Sequence, residues 1–393
     1  MIARELDLST RLRSGASILL LGPRGVGKTA LARQCVAEFP DVLSVNLLEP
    51  GTYERYLQTP GHLQADIEWQ LEKRARLLVF IDEVQKIPEL LDVVHLIYEN
   101  FRPRCQFLLT GSSARKLKRG GANLLAGRLQ ALHLHPLTHR EISLPWERLL
   151  RTGTLPGIVA DNPDPEESLR AYVFAYLKEE VLEEALVRKI DAFSRFLELA
   201  AQYHGEPLHA SKVAKAARVA PNTALEYFHI LEDTMVGYRL PGWSASVRKQ
   251  LRSAPKFYLF DHGVVNALRG ELRIELRPHT SRFGKLFEAY IIQEAFRAND
   301  YGRLDLKFSY WQTSSDQEVD LIVSRGAGEP LAAIEIKSGE RPDPPDWKGL
   351  HLFRQDYPAV PLYCWCRSPV PYRGPDGVEV LPWRQGLELL QQL

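Results

Sequence analysis

Eight contiguous residues set the fold class of the first third of this 393-residue chain. Gly22-Pro23-Arg24-Gly25-Val26-Gly27-Lys28-Thr29 matches GxxxxGK[ST] and lies between an apolar stretch, SILLLG, and the helix-forming KTALARQCVAEF. A glycine-rich turn at that junction lets backbone N–H groups wrap a phosphate chain, with a helix N-terminus aimed at it. Lys28 then reaches the β and γ phosphates, and the Thr29 hydroxyl binds Mg²⁺. The expected class is α/β, and the expected cofactors are ATP and Mg²⁺. A glycine-rich turn around a buried Lys is the competing reading of the same residues.

From Ala16 to about Leu134, short apolar runs (VLSVNL, LLVFID, QFLLTG) alternate with helical stretches, which implies crossover units and a parallel sheet between helices. LLVFIDEVQ places Asp82 and Glu83 at the carboxyl edge of a strand, where α/β sheets bind ligands. The pair reads as Walker B: Asp82 holds the magnesium shell and Glu83 polarises the attacking water as general base. A solvent-exposed acidic pair at a strand end fits the same residues. In QFLLTGSS, Ser112 is either a sensor of the γ-phosphate or a helix N-cap. Arg128 and Arg140 follow the last strands. Arg128 is the better candidate for a finger that stabilises charge on the transferring phosphoryl group, in cis or from a second copy, and an ordinary surface Arg is the alternative. A trans-acting Arg implies a homo-oligomer.

Beyond the first unit, residues 1–140, the pattern changes three times. Residues 141–192 read as an acidic helical linker or lid, punctuated at Asp161-Asn162-Pro163-Asp164-Pro165. Residues 193–270 read as a winged helix-turn-helix: FLELAAQYH, then SKVAKAAR, a tight turn at Val219-Ala220, a helix opening with Pro221, and a hairpin-like stretch with Gly237, Pro241 and Gly242. Other helical trios share that spacing. Residues 271–393 read as a further α/β unit.

In that last unit Glu288 sits in a long helix, Asp320 in the strand QEVDLIV, and Glu335 and Lys337 in AAIEIKS. Strand residues two apart share a face, so Glu335 and Lys337 point together. A turn around Gly326 and Gly328 would close a hairpin and bring Asp320 to the same locus. Glu288, Asp320 and Glu335 are thus candidate ligands for Mg²⁺ or Mn²⁺, with Lys337 placed to position or activate water attacking a phosphodiester. The PD-(D/E)xK nuclease pattern has this form. Structural ion pairing of Lys337 with Asp320 or Glu335 explains the same residues.

Together, GPRGVGKT, LLVFIDEVQ, LLTGSSA, LAGR, HPLTHREI, PKFYLFDHGVVNAL, FGKLFEAYI, YWQT…EVDLIV and AAIEIKSG resemble a widespread prokaryotic family of AAA-type ATPases. In that family the ATPase is fused to a carboxyl-terminal domain of unknown function with a restriction-endonuclase-like fold. The resemblance implies ATP binding and hydrolysis, a winged-helix linker and a nuclease-like terminus, and it supplies no substrate.

Charge decides what such a chain would bind. Lys plus Arg is 50 against 49 for Asp plus Glu, which taken alone disfavours a nucleic-acid partner. Locally the balance differs: Arg239, Arg248, Lys249, Arg252 and Lys256 fall in the expected wing with no acid between them, and Trp243 is nearby for stacking. These are candidate DNA contacts, to backbone or structure and not to sequence, with a solvated or protein-docking face as the alternative. The expected protein hydrolyses ATP and processes DNA with a terminal nuclease; the rivals are a branch-migration or remodelling motor without cleavage, and a nucleotide-switched signalling or defence protein. No stretch approaches a membrane span, and four scattered cysteines suit a cytoplasmic protein.

Overall fold

The computed structural model describes residues 2–112, 127–160, 162–177, 190–244, 254–326 and 329–393. Strands β1 (Ser17–Leu21), β2 (Val42–Asn46), β3 (Leu77–Asp82), β4 (Cys105–Gly111) and β5 (Leu129–His133) form one parallel sheet in the order β2-β3-β4-β1-β5. β1 and β3 are buried at every residue, as strands between helical layers must be. Because β4 lies between β1 and β3, its carboxyl end, from Thr110 to Ser112, sits between the glycine-rich turn and Asp82.

Strand direction corrects one expectation. β5 runs beside β1 from Ser17↔Leu129 to Leu21↔His133. Arg128 therefore stands at the amino-terminal edge of the sheet, while the glycine-rich turn leaves the carboxyl edge. The length of β1, about 13 Å at 3.3 Å per residue, separates the two edges. The Arg128 guanidinium lies instead on Glu99 at 2.5 Å, away from the glycine-rich turn.

The middle of the chain contains the helices Trp146–Thr152, Pro156–Val159 and Pro165–Ala171, then Ile190–Gln202, Ala210–Ala217 and Pro221–Asp233. The last two are joined through Arg218, whose φ of 58° reverses the chain before Pro221 opens the next helix. An antiparallel hairpin follows, β6 (Gly237–Leu240) and β7 (Lys256–Leu259). Phe193, Phe196, Phe228 and Val264 share one apolar core with Ile18, Leu20, Leu78 and Phe80 of the parallel sheet. Burial on that scale holds the middle of the chain against the sheet and opposes independent motion.

The carboxyl-terminal unit opens with the helix Ser281–Gly302, capped by Thr280, whose hydroxyl accepts the Phe283 N–H. Its sheet comprises β8 (Leu306–Gln312), β9 (Glu318–Arg325), β10 (Pro330–Ile336), β11 (Leu362–Cys366), β12 (Tyr372–Arg373) and β13 (Glu379–Pro382), in the order β12-β13-β11-β10-β9-β8. β8, β9 and β10 are antiparallel neighbours, and β10 pairs in parallel with β11 after the crossover helix Lys348–Asp356. Leu149, Leu150, Leu240 and Tyr258 from earlier in the chain complete the core under this sheet.

Candidate functional site

The glycine-rich turn has the backbone its sequence requires. Gly25 and Gly27 have φ of 83° and 94°, a region costly for side-chain-bearing residues, and a Cβ on Gly22 would collide with the Leu134 carbonyl. Lys28 is buried, and its ammonium donates to the carbonyl oxygens of Gly22 at 2.8 Å and Pro23 at 3.0 Å. Outside the turn, Arg4 donates to Val26 O at 2.6 Å and the Tyr172 hydroxyl to Arg24 O at 2.9 Å. Neither clamp carries a motif, and both lie far from the turn in sequence.

Asp82 is fully buried at the end of β3. Its Oδ1 accepts the Thr29 hydroxyl at 2.9 Å and the Thr110 hydroxyl at 2.6 Å, while Oδ2 has no hydrogen-bond partner among the described residues and has the exposed Arg33 at 4.0 Å. A buried carboxylate oxygen left open beside a Thr hydroxyl suits a Mg²⁺ shell, so these residues fit the ion. Glu83 takes the left-handed conformation, φ 61°, and its N–H donates to Thr110 at 3.0 Å. Its carboxylate accepts from Gln85, whose amide also reaches Ser112 at 3.0 Å. Ser112 is thus one bond removed from Glu83, and the residue on Asp82 itself is Thr110. An apolar cavity of about 280 Å³ adjoins Gly27, lined among others by Ile2, Leu31, Leu137 and Pro156.

The second constellation forms where the helix Ser281–Gly302 meets the β9–β10 hairpin. Glu288, Glu318 and Asp320 each bring a carboxylate oxygen within 4.8 Å of the other two. Asp320 also accepts the Ile336 N–H at 2.7 Å, and Lys337 donates to Glu335 Oε1 at 2.6 Å. Glu335 Oε2 is buried with no hydrogen-bond partner among the described residues. Burial and the charge of Asp320 push Glu335 up and raise Glu288 to about 7, with Lys337 and Lys256 respectively working against the shift. The helix and the hairpin thus bring Glu288, Asp320, Glu335 and Lys337 to one locus, with Glu318 added. Its signal in the sequence is its position two before Asp320, on the same face of the strand.

Lys256, read as a wing cation, belongs to this site. It is 3% exposed and pairs with Glu288 and Glu318 across the boundary between units. Trp243 is corrected too. Its backbone N–H donates to Tyr310 O at 2.5 Å and its ring meets Tyr357 edge-on, so it packs on the carboxyl-terminal unit. Arg239 lies on Glu232 at 2.6 Å. Arg248, Lys249 and Arg252 lie outside the described residues.

The helix Ser281–Gly302 joins the two constellations. Asp300 binds His135 Nε2 at 2.7 Å and His133 Nδ1 at 3.1 Å, just beyond the Leu134 carbonyl that abuts Gly22. Glu294 accepts the His139 N–H at 2.9 Å, and Arg297 reaches Glu294 at 2.6 Å and Phe260 O at 3.1 Å. Glu288, on the same helix, ends in the acid cluster.

Comparison with known families places this geometry. Residues 14–143 match the family model of an AAA domain. The amino-terminal unit is an AAA-type P-loop ATPase domain. Residues 144–275 and 283–385 match two further models, each described as a domain of unknown function, DUF8612 and DUF4143. Uncharacterized proteins of Mycobacterium tuberculosis and Mycobacterium bovis are 28% identical over 352 residues, 87% of this chain and 76% of theirs. One from Haemophilus influenzae is 22% identical over 317 residues, 75% of this chain and 76% of its own. The solved Holliday junction branch migration motor RuvB of Thermotoga maritima aligns with 61% of this chain and 90% of its own at 19% identity, with a TM-score of 0.29. Among the described residues, no helix is long and apolar enough to cross a membrane.

Proposed function

We propose that the protein hydrolyses ATP and couples that hydrolysis to a metal-dependent, nuclease-like centre acting on DNA. The open Asp82 oxygen beside Thr29 supports the ATP half: Thr29 and Asp82 would hold Mg²⁺, Lys28 would leave the turn's carbonyls for the phosphates, and the cavity beside Gly27 would seat the base. When bound, the ion would neutralise charge on the phosphates; Glu83 would take the proton of the attacking water.

The observation that carries the second half is the meeting of Glu288, Glu318, Asp320, Glu335 and Lys337 from one helix and one hairpin. Five charged groups partly removed from water at one point are costly without a task. A divalent ion there would supply a Lewis acid for phosphodiester hydrolysis, with Lys337 holding the water. A crevice of about 980 Å³ lined by Arg11, Arg303, Lys307 and Arg325, where the ATPase domain, middle and terminal units meet, would grip the phosphate backbone. Arg128 would act on a nucleotide only from a second copy, which implies an oligomer.

Lys256 favours a second reading, a motor that remodels DNA without cutting, because an ammonium already balances part of the acid cluster. ATP turnover and product scoring on linear and branched DNA, with Mg²⁺ or Mn²⁺, decide between them. Cleavage lost in Asp320→Ala but kept in Glu83→Gln supports the nuclease. DNA-stimulated turnover without cleavage supports the motor, and turnover indifferent to DNA removes both.

A further inference from the structure

The acid cluster is crossed by a cation that the neighbouring unit supplies. Lys256 opens β7, and both its flanks are fixed: its backbone pairs with Leu240 in the hairpin and with Pro207 on the other side. From that anchored position its side chain, 4% exposed, extends to Glu288 Oε1 at 3.4 Å and to Glu318 Oε1. Lys337, the other ammonium at the site, is held on Glu335.

Three carboxylates within 4.8 Å repel one another unless a positive charge lies among them. One ammonium offsets one of these charges, and a divalent ion offsets two. Beside Asp320 on the paired strand, the buried Glu335 Oε2 has no hydrogen-bond partner among the described residues and leaves one more carboxylate oxygen open to a cation. An ammonium and a metal ion cannot both lie against the same oxygens of Glu288 and Glu318. Since the backbone of Lys256 is pinned on two sides, the exchange falls to its flexible four-carbon stem.

We propose that Lys256 is the resident cation of the Glu288–Glu318–Asp320 cluster and that a divalent metal ion binds there by displacing its ammonium, so that the middle unit controls metal entry to the terminal site. This rests on reading the cluster as a metal centre. It turns the second reading of Lys256 into a state of the same protein: balanced by lysine the centre is silent, and loaded with metal it is armed.

Calorimetric titration of the nucleotide-free full chain with Mn²⁺ tests the exchange. Lys256→Met should bind Mn²⁺ at least tenfold more tightly than the unaltered chain, and Asp320→Asn added to it should abolish the gain. In the unaltered chain, Lys256 should be protected from trace acetylation by acetic anhydride, scored by mass spectrometry, and become reactive at saturating Mn²⁺. Equal affinities in the two chains, both lost with Asp320→Asn, overturn the displacement and leave the metal centre standing. Absence of any Asp320-dependent Mn²⁺ binding removes the metal centre, and the proposal with it. Should Lys256→Met fail to fold, the labelling decides: unchanged protection of Lys256 at saturating Mn²⁺ overturns the exchange.

Discussion

The Thr110 hydroxyl donates to Asp82 Oδ1 at 2.6 Å and accepts the Glu83 N–H at 3.0 Å, so a single side chain from β4 holds both acids of the ATPase site. Thr110→Val keeps the shape and removes both bonds. Loss of one buried hydrogen bond costs about 1–3 kcal/mol, and residues that orient metal-shell groups typically contribute about 10–100-fold. The expected result is an ATPase kcat lowered at least about tenfold with nucleotide affinity little changed, and recovery in Thr110→Ser. Steady-state turnover beside fluorescent-nucleotide binding reads both.

Lys28 and Glu83 should separate binding from chemistry. Lys28→Ala removes the ammonium that the turn holds against Gly22 and Pro23, and nucleotide binding should fall below detection. Glu83→Gln keeps a polar side chain beside Gln85 but cannot accept a proton; binding should persist while turnover drops about 10²–10⁴-fold. Hydrolysis that survives Lys28→Ala would refute the assignment of the turn.

Contiguity explains what was legible before the fold was known. The eight residues from Gly22 to Thr29 and the strand end at Asp82 are local, so the sequence suffices for them. Thr110 and Ser112 both end the apolar run QFLLTGSS, and only the order β3-β4-β1 sets the Thr110 hydroxyl, ahead of that of Ser112, on Asp82. The place of Arg128 is not legible in the sequence because strand direction is a property of pairing: Ser17↔Leu129 puts it at the amino-terminal edge, away from this chain's own glycine-rich turn, which leaves only the role from a second copy. Lys256 was misread for the opposite reason. Its neighbours in sequence are basic, whereas its neighbours in space, Glu288 and Glu318, come from another unit.

Two buried histidines predict how the fold responds to acid. His204 Nδ1 accepts the Leu259 N–H at 3.0 Å, and His262 Nε2 faces Leu286 O at 2.9 Å. Burial, joined by the nearby His262, holds His204 well below its ordinary value, and burial with the charge of Arg297 lowers His262 to about 3. Both are neutral when folded and protonate on unfolding near the ordinary value of about 6.5. Their contribution is complete above that pH and is lost as pH falls from there toward 3. Unfolding free energy should therefore decline with acid. His262→Asn should make the slope shallower by about 1.4 kcal/mol per pH unit, one proton's worth, in denaturant titrations followed by circular dichroism.

The crevice between units predicts a salt signature. Lys307 and Arg325 lie on the paired strands β8 and β9 at its wall, exposed to solvent. If they contact phosphates, replacing each by Ala should weaken DNA binding similarly for all sequences and lower the slope of log affinity against log salt by about 0.9 per contact. An unchanged slope in the double variant, measured by fluorescence anisotropy, would move the DNA path elsewhere.

Asp300 predicts whether the two centres communicate. It lies twelve residues after Glu288 on the helix Ser281–Gly302, about 18 Å along the axis at 1.5 Å per residue. It bonds His135 and His133, which flank the Leu134 carbonyl packed on Gly22. Burial lowers His135 below its ordinary value, against the pull of Asp300. A shift of the phosphate-binding turn would press on Leu134, pass through His135 to Asp300, and move a rigid helix whose other part carries Glu288. Asp300→Ala cuts that path at a residue that touches neither the phosphate-binding turn nor the acid cluster; Asp300 also lines the crevice between units, so DNA affinity is measured beside the response. Basal ATP turnover should stay within about a factor of two, while stimulation by DNA, and any effect of ATP on Mn²⁺ affinity at the cluster, should disappear. A variant that keeps both responses would show that the signal does not run through this helix, and a variant that merely unfolds would lose basal turnover as well.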